Sequence, residues 1–162
     1  QCDVHTYKAS GPGGQHRNKV SSAVRLRHRP TGVEAHGDDS RSQHENRRLA
    51  LRRLRMNLAC RVRTPIPDTG AGSPPVVEEC LFLPKGSADG RKRLKVGRRD
   101  RRFWPVAAWV LDLLEANHGA VSDAAKALGI STGNLVSLLQ SERHLLAAAQ
   151  EIRKAHGLKP LT

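Results

Sequence analysis

A glycine-rich loop near the start of the chain contains the residues with the clearest chemical potential. Gly11, Gly13 and Gly14 can adopt a positive φ, and they have no side chain that would keep a substrate away from the backbone. Gln15 follows them with a backbone N–H and an uncharged amide. The loop therefore permits close approach of a substrate, and it contains no obvious pair of nucleophile and base.

Strands are predicted on both sides of the loop, which spans Ala9 to Ser22. Val4–Lys8 forms the first, and alternating apolar and basic residues predict a second over Ala23–Arg29. A turn signal at Pro30–Gly32 leads to a third over Val33–His36. The last two strands should form a hairpin with one buried face and one basic face.

A basic helix is predicted after the hairpin. Ser42 and Glu45 have the spacing of a capping box, and Pro65 and Pro67 should end the helix near Arg61. The predicted apolar stripe of this helix consists of Ala50, Leu51, Leu54 and Leu58.

The net charge of +13 lies entirely in the first part of the chain. Residues 103–162 contain five basic and five acidic residues, which leaves 23 basic and ten acidic residues in residues 1–102. So basic a surface attracts phosphate polymers through counterion release and long-range steering. The composition therefore predicts a nucleic-acid partner.

The sequence argues against a membrane protein, a disulfide-rich protein and a metal-binding protein. No apolar run approaches the length of a membrane span. Cys2, Cys60 and Cys80 are odd in number and far apart, which argues against a disulfide framework or a zinc site and fits a reducing compartment. Cys2 and His5 make only a weak pair of metal ligands, so we expect no metal and no cofactor.

The segment from Lys8 to Val24 resembles the GGQ loop of class I peptide chain release factors and related ribosome-rescue hydrolases. The likeness continues through Pro30–Gly32 and Ser40–Gln43 to Asn46-Arg47, and it covers residues 2 to about 60. It implies an α+β fold that begins with a small GGQ domain. It also implies hydrolysis of the ester that joins a nascent peptide to tRNA inside a ribosome.

The resemblance assigns the catalytic role to Gly13, Gly14 and Gln15. The backbone N–H of Gln15 would donate to the oxygen on which negative charge develops, which is where ester hydrolysis gains most. The Gln15 side chain would shape a pocket that admits water and not a larger nucleophile. Ribosomal RNA and the tRNA would position the ester and move the protons, so the chain would be an incomplete enzyme.

Two side-chain mechanisms are alternatives. His16 has a pKa range that suits a general base, but packing or an RNA contact at the base of the loop is the favoured interpretation. Ser10, Ser21 and Ser22 lack a paired His and Asp in an elbow geometry, so a serine nucleophile is disfavoured.

Several polar residues are candidates for RNA contacts, because Arg and Lys neutralise phosphates and Asn and Gln can bond to ribose or base edges. The alternative is a solvated charged face. In the matched segment the candidates are Arg17, Asn18, Lys19, Arg41, Gln43 and Arg47.

Three segments are predicted: a GGQ domain over 1–63, a Pro/Gly-rich and then basic linker over 64–102, and a helical domain over 103–162. The linker has one short apolar piece, Val76–Leu83, that could dock. Its basic run, Lys85–Arg102, would be disordered alone. Small rescue hydrolases carry a basic tail for the empty mRNA channel, and the candidate contacts of such a tail are Arg91, Lys92 and Arg93.

In residues 103–162 four helices are predicted, starting near Trp104, at Ser122, at Thr132 and at Ser141. The stretch from Leu114 through Ser131 resembles a helix-turn-helix of the factor-for-inversion-stimulation type. The predicted recognition helix has no Lys or Arg and the segment is net neutral, which disfavours DNA. A docking module for the ribosome, a protein partner or self-association is the better interpretation.

Codon-independent peptide release on stalled ribosomes is the first functional hypothesis, because no codon-reading domain accompanies the loop. A fragment of a stop-codon-dependent factor and a nucleic-acid-binding regulator are the alternatives. The predicted partners are ribosomal RNA and peptidyl-tRNA in the cytoplasm, without a membrane.

Overall fold

The computed structural model describes residues 1–8, 21–67, 72–86 and 90–161. Antiparallel sheets and helices confirm the predicted α+β class. The chain divides into two compact units, Gln1–Leu58 (unit 1) and Ala59–Thr162 (unit 2). No helix in the described part of the chain is both long enough and apolar enough to cross a membrane.

Unit 1 contains a three-stranded antiparallel sheet in the order β1-β2-β3. The strands are β1 (Cys2–Tyr7), β2 (Ala23–His28) and β3 (Glu34–Gly37). This confirms the predicted hairpin, whose turn contains Gly32 at a φ of 69°. Val24 and Leu26 are buried as the alternation predicts.

Helix α1 (Gln43–Arg61) follows the sheet and supplies the other half of the small core. Ala50 and Leu54 pack in one buried cluster with Val24, Leu26 and Ala35. The prediction for Leu51 is wrong, because this side chain is 38% exposed. Within unit 1 the buried positions of α1 are Asn46, Ala50 and Leu54, four residues apart, and a residue next to Ala50 points about 100° away from that line.

The start of α1 is capped by half of the predicted capping box. The Ser42 hydroxyl accepts a hydrogen bond from the Glu45 N–H at 3.3 Å. The Glu45 carboxylate does not return to Ser42 but accepts from the Ser40 hydroxyl. The Ser42 N–H donates to that same hydroxyl at 3.1 Å. This relay fixes the backbone on both sides of Arg41.

Unit 2 is mainly helical. Its helices in the described residues are α2 (Pro75–Glu78), α3 (Phe103–Ala116), α4 (Val121–Ala127), α5 (Thr132–Gln140) and α6 (Arg143–Ala155). The four helices predicted beyond residue 103 are present. α4 and α5 enclose the predicted turn, in which Gly129 has a φ of 66°.

The expected linker differs from the structure, because parts of residues 64–102 pack into unit 2. β4 (Leu81–Phe82) and β5 (Arg93–Leu94) form a two-stranded antiparallel sheet. Val77, Cys80 and Leu94 are buried in the same cluster as the long helices. The apolar piece Val76–Leu83 docks as the sequence analysis allowed, whereas the burial of Leu94 within the basic run, which offsets the repulsion between its charges, was not predicted.

Candidate functional site

The predicted catalytic loop leaves and rejoins the sheet at neighbouring strand ends. Tyr7, the last residue of β1, pairs with Ala23, the first residue of β2. Gly13, Gly14 and Gln15 lie outside the described residues, as do Arg17, Asn18 and Lys19. The described part of the site therefore consists of the residues at the two ends of the loop, Tyr7 on one side and Ser22 and Ala23 on the other, which we call the loop base.

A buried amide ties the returning end of the loop to α1. Asn46 has no exposed surface. Its Nδ2 donates to the carbonyl oxygens of Ser22 at 2.8 Å and Ser40 at 2.7 Å. Its Oδ1 accepts from the Ser40 N–H at 2.9 Å. One side chain thus fixes both the residue before β2 and the turn before α1.

Gly37 allows β3 to approach α1 closely. A Cβ at this position would lie 2.0 Å from the carbonyl oxygen of Asn46 and 3.0 Å from the amide nitrogen of Ala50. Only a residue without a side chain fits this contact, whatever its φ. Gly37 therefore allows the helix that contains Asn46 to lie directly against the end of the sheet.

The outgoing end of the loop is marked by an aromatic pair. The Tyr7 hydroxyl and His36 Nδ1 are 3.0 Å apart, and the two rings meet edge to face with centroids 5.9 Å apart. Partial burial raises the pKa of the Tyr7 phenol, and the nearby Asp38 carboxylate raises it further. Tyr7 therefore stays a neutral hydrogen-bonding group, and the last residue of β1 is held to β3.

The candidate RNA contacts that the structure describes in unit 1 lie at the start of α1. Arg41, Gln43 and Arg47 are all exposed. Gln43 and Arg47 are one helical turn apart and share a face. Three more arginines of α1 are exposed: Arg48, Arg52 and Arg55. Within the described residues no ion pair is found for them.

Arg53 has a structural role instead. Its guanidinium binds the Asp39 carboxylate through two hydrogen bonds of 2.8 and 2.9 Å and donates to the His36 carbonyl at 2.8 Å. The hydrogen bonds with Arg53 lower the pKa of Asp39, and those with Asp39 raise the pKa of Arg53. Arg53 therefore links α1 to the end of β3 and to the segment between β3 and α1.

Comparison with known protein families finds a match that includes all of unit 1. The RF-1 domain model matches residues 1–65. We call these 65 of the 162 residues the RF-1 domain. All the unit 1 residues that frame the loop, from Tyr7 to Arg53, lie within this RF-1 domain.

Curated relatives of the RF-1 domain are release factors. Peptide chain release factor 2 of Acidovorax sp. (strain JS42) is 60% identical over 53 residues, 33% of this chain and 14% of the relative. Peptide chain release factor 1 of Leptothrix cholodnii is 55% identical over 60 residues, 37% of this chain and 17% of the relative. Peptide chain release factor 1 of Rhodospirillum rubrum is 38% identical over 92 residues, 57% of this chain and 24% of the relative. The chain thus spans between about a seventh and a quarter of the length of these three relatives.

Arg91, Lys92 and Arg93 lie in unit 2, outside the RF-1 domain. All three are exposed. The Lys92 N–H donates to the Gly129 carbonyl at 3.1 Å, and Lys92 forms a parallel bridge with Ile130. These cations therefore stand beside the turn between α4 and α5 and not on a free tail.

Sequence analysis missed the residues that hold the loop base of the RF-1 domain. Asn46 is part of the resemblance, but no role was predicted for it, although it lies one turn before Ala50 on the buried line of α1. A polar residue on such a line signals a buried hydrogen-bonding anchor. Gly37 gave no comparable signal, because a glycine after a strand is also typical of an ordinary turn.

Replacing Asn46 by leucine should destabilise the RF-1 domain by about 2–3 kcal/mol, because the Ser22 and Ser40 carbonyls would lose their buried donor. The measurement is hydrogen exchange of the β2 amides in the full chain. Asn57→Leu is the control, since within the described residues Asn57 donates to the Glu34 carbonyl alone and its replacement should cost less stability. Equal loss of protection in both variants would contradict the anchoring role.

Proposed function

We propose that this chain releases nascent peptides by hydrolysing the ester of peptidyl-tRNA in the ribosome. The observation that carries the proposal is the RF-1 domain match over residues 1–65, which includes the Gly13-Gly14-Gln15 segment. The loop base supports it, because the paired ends of β1 and β2 and the Asn46 anchor give the loop a fixed platform. A fixed platform matters because a donor contributes to catalysis only when it is preorganised.

In the proposed mechanism the backbone N–H of Gln15 donates to the ester oxygen as negative charge develops on it. Gly13 and Gly14 let the backbone reach the ester without a steric clash. The Gln15 side chain limits the pocket to water. Arg17, Asn18 and Lys19 from the loop and Arg41, Gln43 and Arg47 from the start of α1 contact ribosomal RNA, which positions the ester.

We further propose that release does not require a stop codon. Beyond the RF-1 domain, the described residues form the helical unit 2, whose exposed basic residues suit phosphate contacts and not the reading of a base triplet. Residues 103–162 would then serve as a docking element for the ribosome or for a protein partner.

A second candidate is a stop-codon-dependent release factor of which this chain is a portion. The release factors 1 and 2 named above favour it, since the chain matches them over only part of their length. The third hypothesis, a regulator that binds DNA or RNA through residues 103–162, is less favoured, because Asn134 of α5, the predicted recognition helix, already bonds the backbone of Leu94 at 2.8 and 3.0 Å.

The proposal is tested by single-turnover release of a labelled peptide from ribosomes whose A site is empty, contains a sense codon or contains a stop codon. We expect release with an empty A site and no requirement for the stop codon. Release only with the stop codon would select the second candidate. No release in any of the three complexes would contradict the proposed activity, as would fast hydrolysis of peptidyl-tRNA without ribosomes.

A further inference from the structure

The outer face of the β4–β5 sheet in unit 2 carries an exposed aromatic ring beside a cation. Phe82 pairs directly with Arg93 across the two strands, so both side chains stand on the same face. Phe82 is 45% exposed, whereas Leu94 on the opposite face is buried in the helical core. The chain has only two phenylalanines, and the other, Phe103, is buried as a core residue should be. Phe82 therefore has a position that core packing does not explain.

A positively charged groove lies next to this face. Its volume is about 300 Å³, and it is lined by Lys85, Arg91, Lys92 and Arg93 together with Pro84 and Ser131. Among the described residues that line it, none is acidic. Glu78 outside the groove approaches Lys92 Nζ at 3.8 Å, and both side chains are about half exposed, so the pair leaves this lysine available to a stronger anion.

The groove is rigidly joined to the helices. The Asn134 side chain accepts from the Leu94 N–H at 2.8 Å and donates to the Leu94 carbonyl at 3.0 Å, which pins β5 to α5. The Lys92 N–H bonds to the Gly129 carbonyl on the neighbouring turn. Lys92 and Arg93 are therefore held in a folded surface, and their binding to a ligand would cost little ordering of the backbone.

We propose that Phe82 and this groove form a binding site for single-stranded RNA. Lys85, Lys92 and Arg93 bind successive phosphates, and one unpaired base stacks on the Phe82 ring. This combination of a cationic track with an exposed aromatic platform is how proteins hold single strands without reading their sequence. The inference deepens the proposed function, on which the choice of RNA over DNA rests.

An acidic protein partner is less favoured. The centre of a protein interface is depleted of charged residues, whereas most of the residues that line this groove are charged. The neighbouring Leu83 is 60% exposed and offers apolar area without a ring that can stack, which makes it a matched control for Phe82.

The stacking role is tested with a fluorescein-labelled poly(U) oligonucleotide and the full chain, by fluorescence anisotropy. Phe82→Ala should weaken binding about tenfold and leave the salt dependence unchanged. Leu83→Ala should have little effect. The preference of the wild type for poly(U) over a duplex RNA of the same length should fall in Phe82→Ala. If the two alanine variants weaken binding equally, the stacking role is overturned and an apolar docking patch is indicated instead. An unchanged affinity in both variants would also overturn the stacking role.

The phosphate role is tested by the triple variant Lys85→Gln, Lys92→Gln and Arg93→Gln. The slope of log Kd against log salt should fall by about 2, since each cation on a single strand contributes about 0.7. The charge-matched control is Arg143→Gln, Lys154→Gln and Lys159→Gln, three exposed cations of unit 2 that do not adjoin the turn between α4 and α5. Similar slopes for the two triple variants would overturn the groove, because net charge alone would then explain binding. Protection of Lys85 and Lys92 from acylation by bound poly(U) gives a readout that does not depend on a variant.

Peptide release measured beside RNA binding separates this inference from the proposed function. The groove variant should need more protein to reach half-maximal release and keep the maximal rate. A wild type that releases no peptide but shows the Phe82 and groove effects would refute the proposed function and leave the RNA site standing. If the groove variant releases peptide normally, with an unchanged half-saturating concentration and no specific loss of RNA affinity, the RNA site is refuted and the proposed function is not.

Discussion

Replacing Gln15 by proline should slow peptide release by about 10²–10³-fold, which is the cost of losing one donor to a developing oxyanion. Proline has no backbone N–H, so the substitution removes the proposed catalytic group and no charge. The measurement is single-turnover release of labelled peptide at a concentration of protein that saturates the ribosomes.

Gln15→Ala is the control for this prediction, because it keeps the backbone N–H and removes only the side chain. It should retain much more of the release rate than Gln15→Pro while it relaxes the selection for water. Gly14→Ala tests the steric requirement next to the donor and should also slow release. If the proline and alanine variants at Gln15 lose the same activity, the donor is not the backbone amide.

Replacing Gly37 by alanine should destabilise the RF-1 domain by at least about 3 kcal/mol, at the upper end of overpacking costs. The new Cβ would lie 2.0 Å from the Asn46 carbonyl oxygen, and both groups belong to backbone that cannot rotate away. β3 and α1 must therefore separate, and the bonds of Asn46 to Ser22 and Ser40 should weaken with them. Hydrogen exchange of the Val24 and Leu26 amides would measure the loss.

Gly97→Ala is the matched control for Gly37→Ala, because a Cβ at Gly97 meets no atom within 4 Å and its φ is not in the left-handed region. It should leave both exchange and release nearly unchanged. Protection of β2 in Gly37→Ala equal to that of Gly97→Ala would show that the helix and the sheet do not meet as closely as the structure places them.

Local patterns predicted the elements of the RF-1 domain well. Alternation over Ala23–Arg29 gave the correct buried face, and Pro30–Gly32 gave the turn, since both signals depend on neighbouring residues only. The pattern did not decide which apolar residues of α1 face the sheet. Ala50 and Leu51 are adjacent, and only the position of the sheet determines which of them is buried.

Residues that act across distant parts of the chain were not predicted. Asn46 bonds to Ser22, 24 residues away, and Asn134 bonds to Leu94, 40 residues away. Such partners become visible only when the fold brings them together. The packing of the basic run was not predicted for the same reason: Leu94 is one apolar residue among many charges, and its burial depends on the core formed by α3 to α6.

The most direct test of the proposed function is a cryo-EM map of the protein bound to a ribosome with peptidyl-tRNA and an empty A site. We predict that residues 11–15 lie in the peptidyl-transferase centre, with the Gln15 N–H within hydrogen-bonding distance of the ester at the tRNA 3′ end. A map that places these residues far from that ester would contradict the proposal, whatever the similarity of the RF-1 domain to release factors.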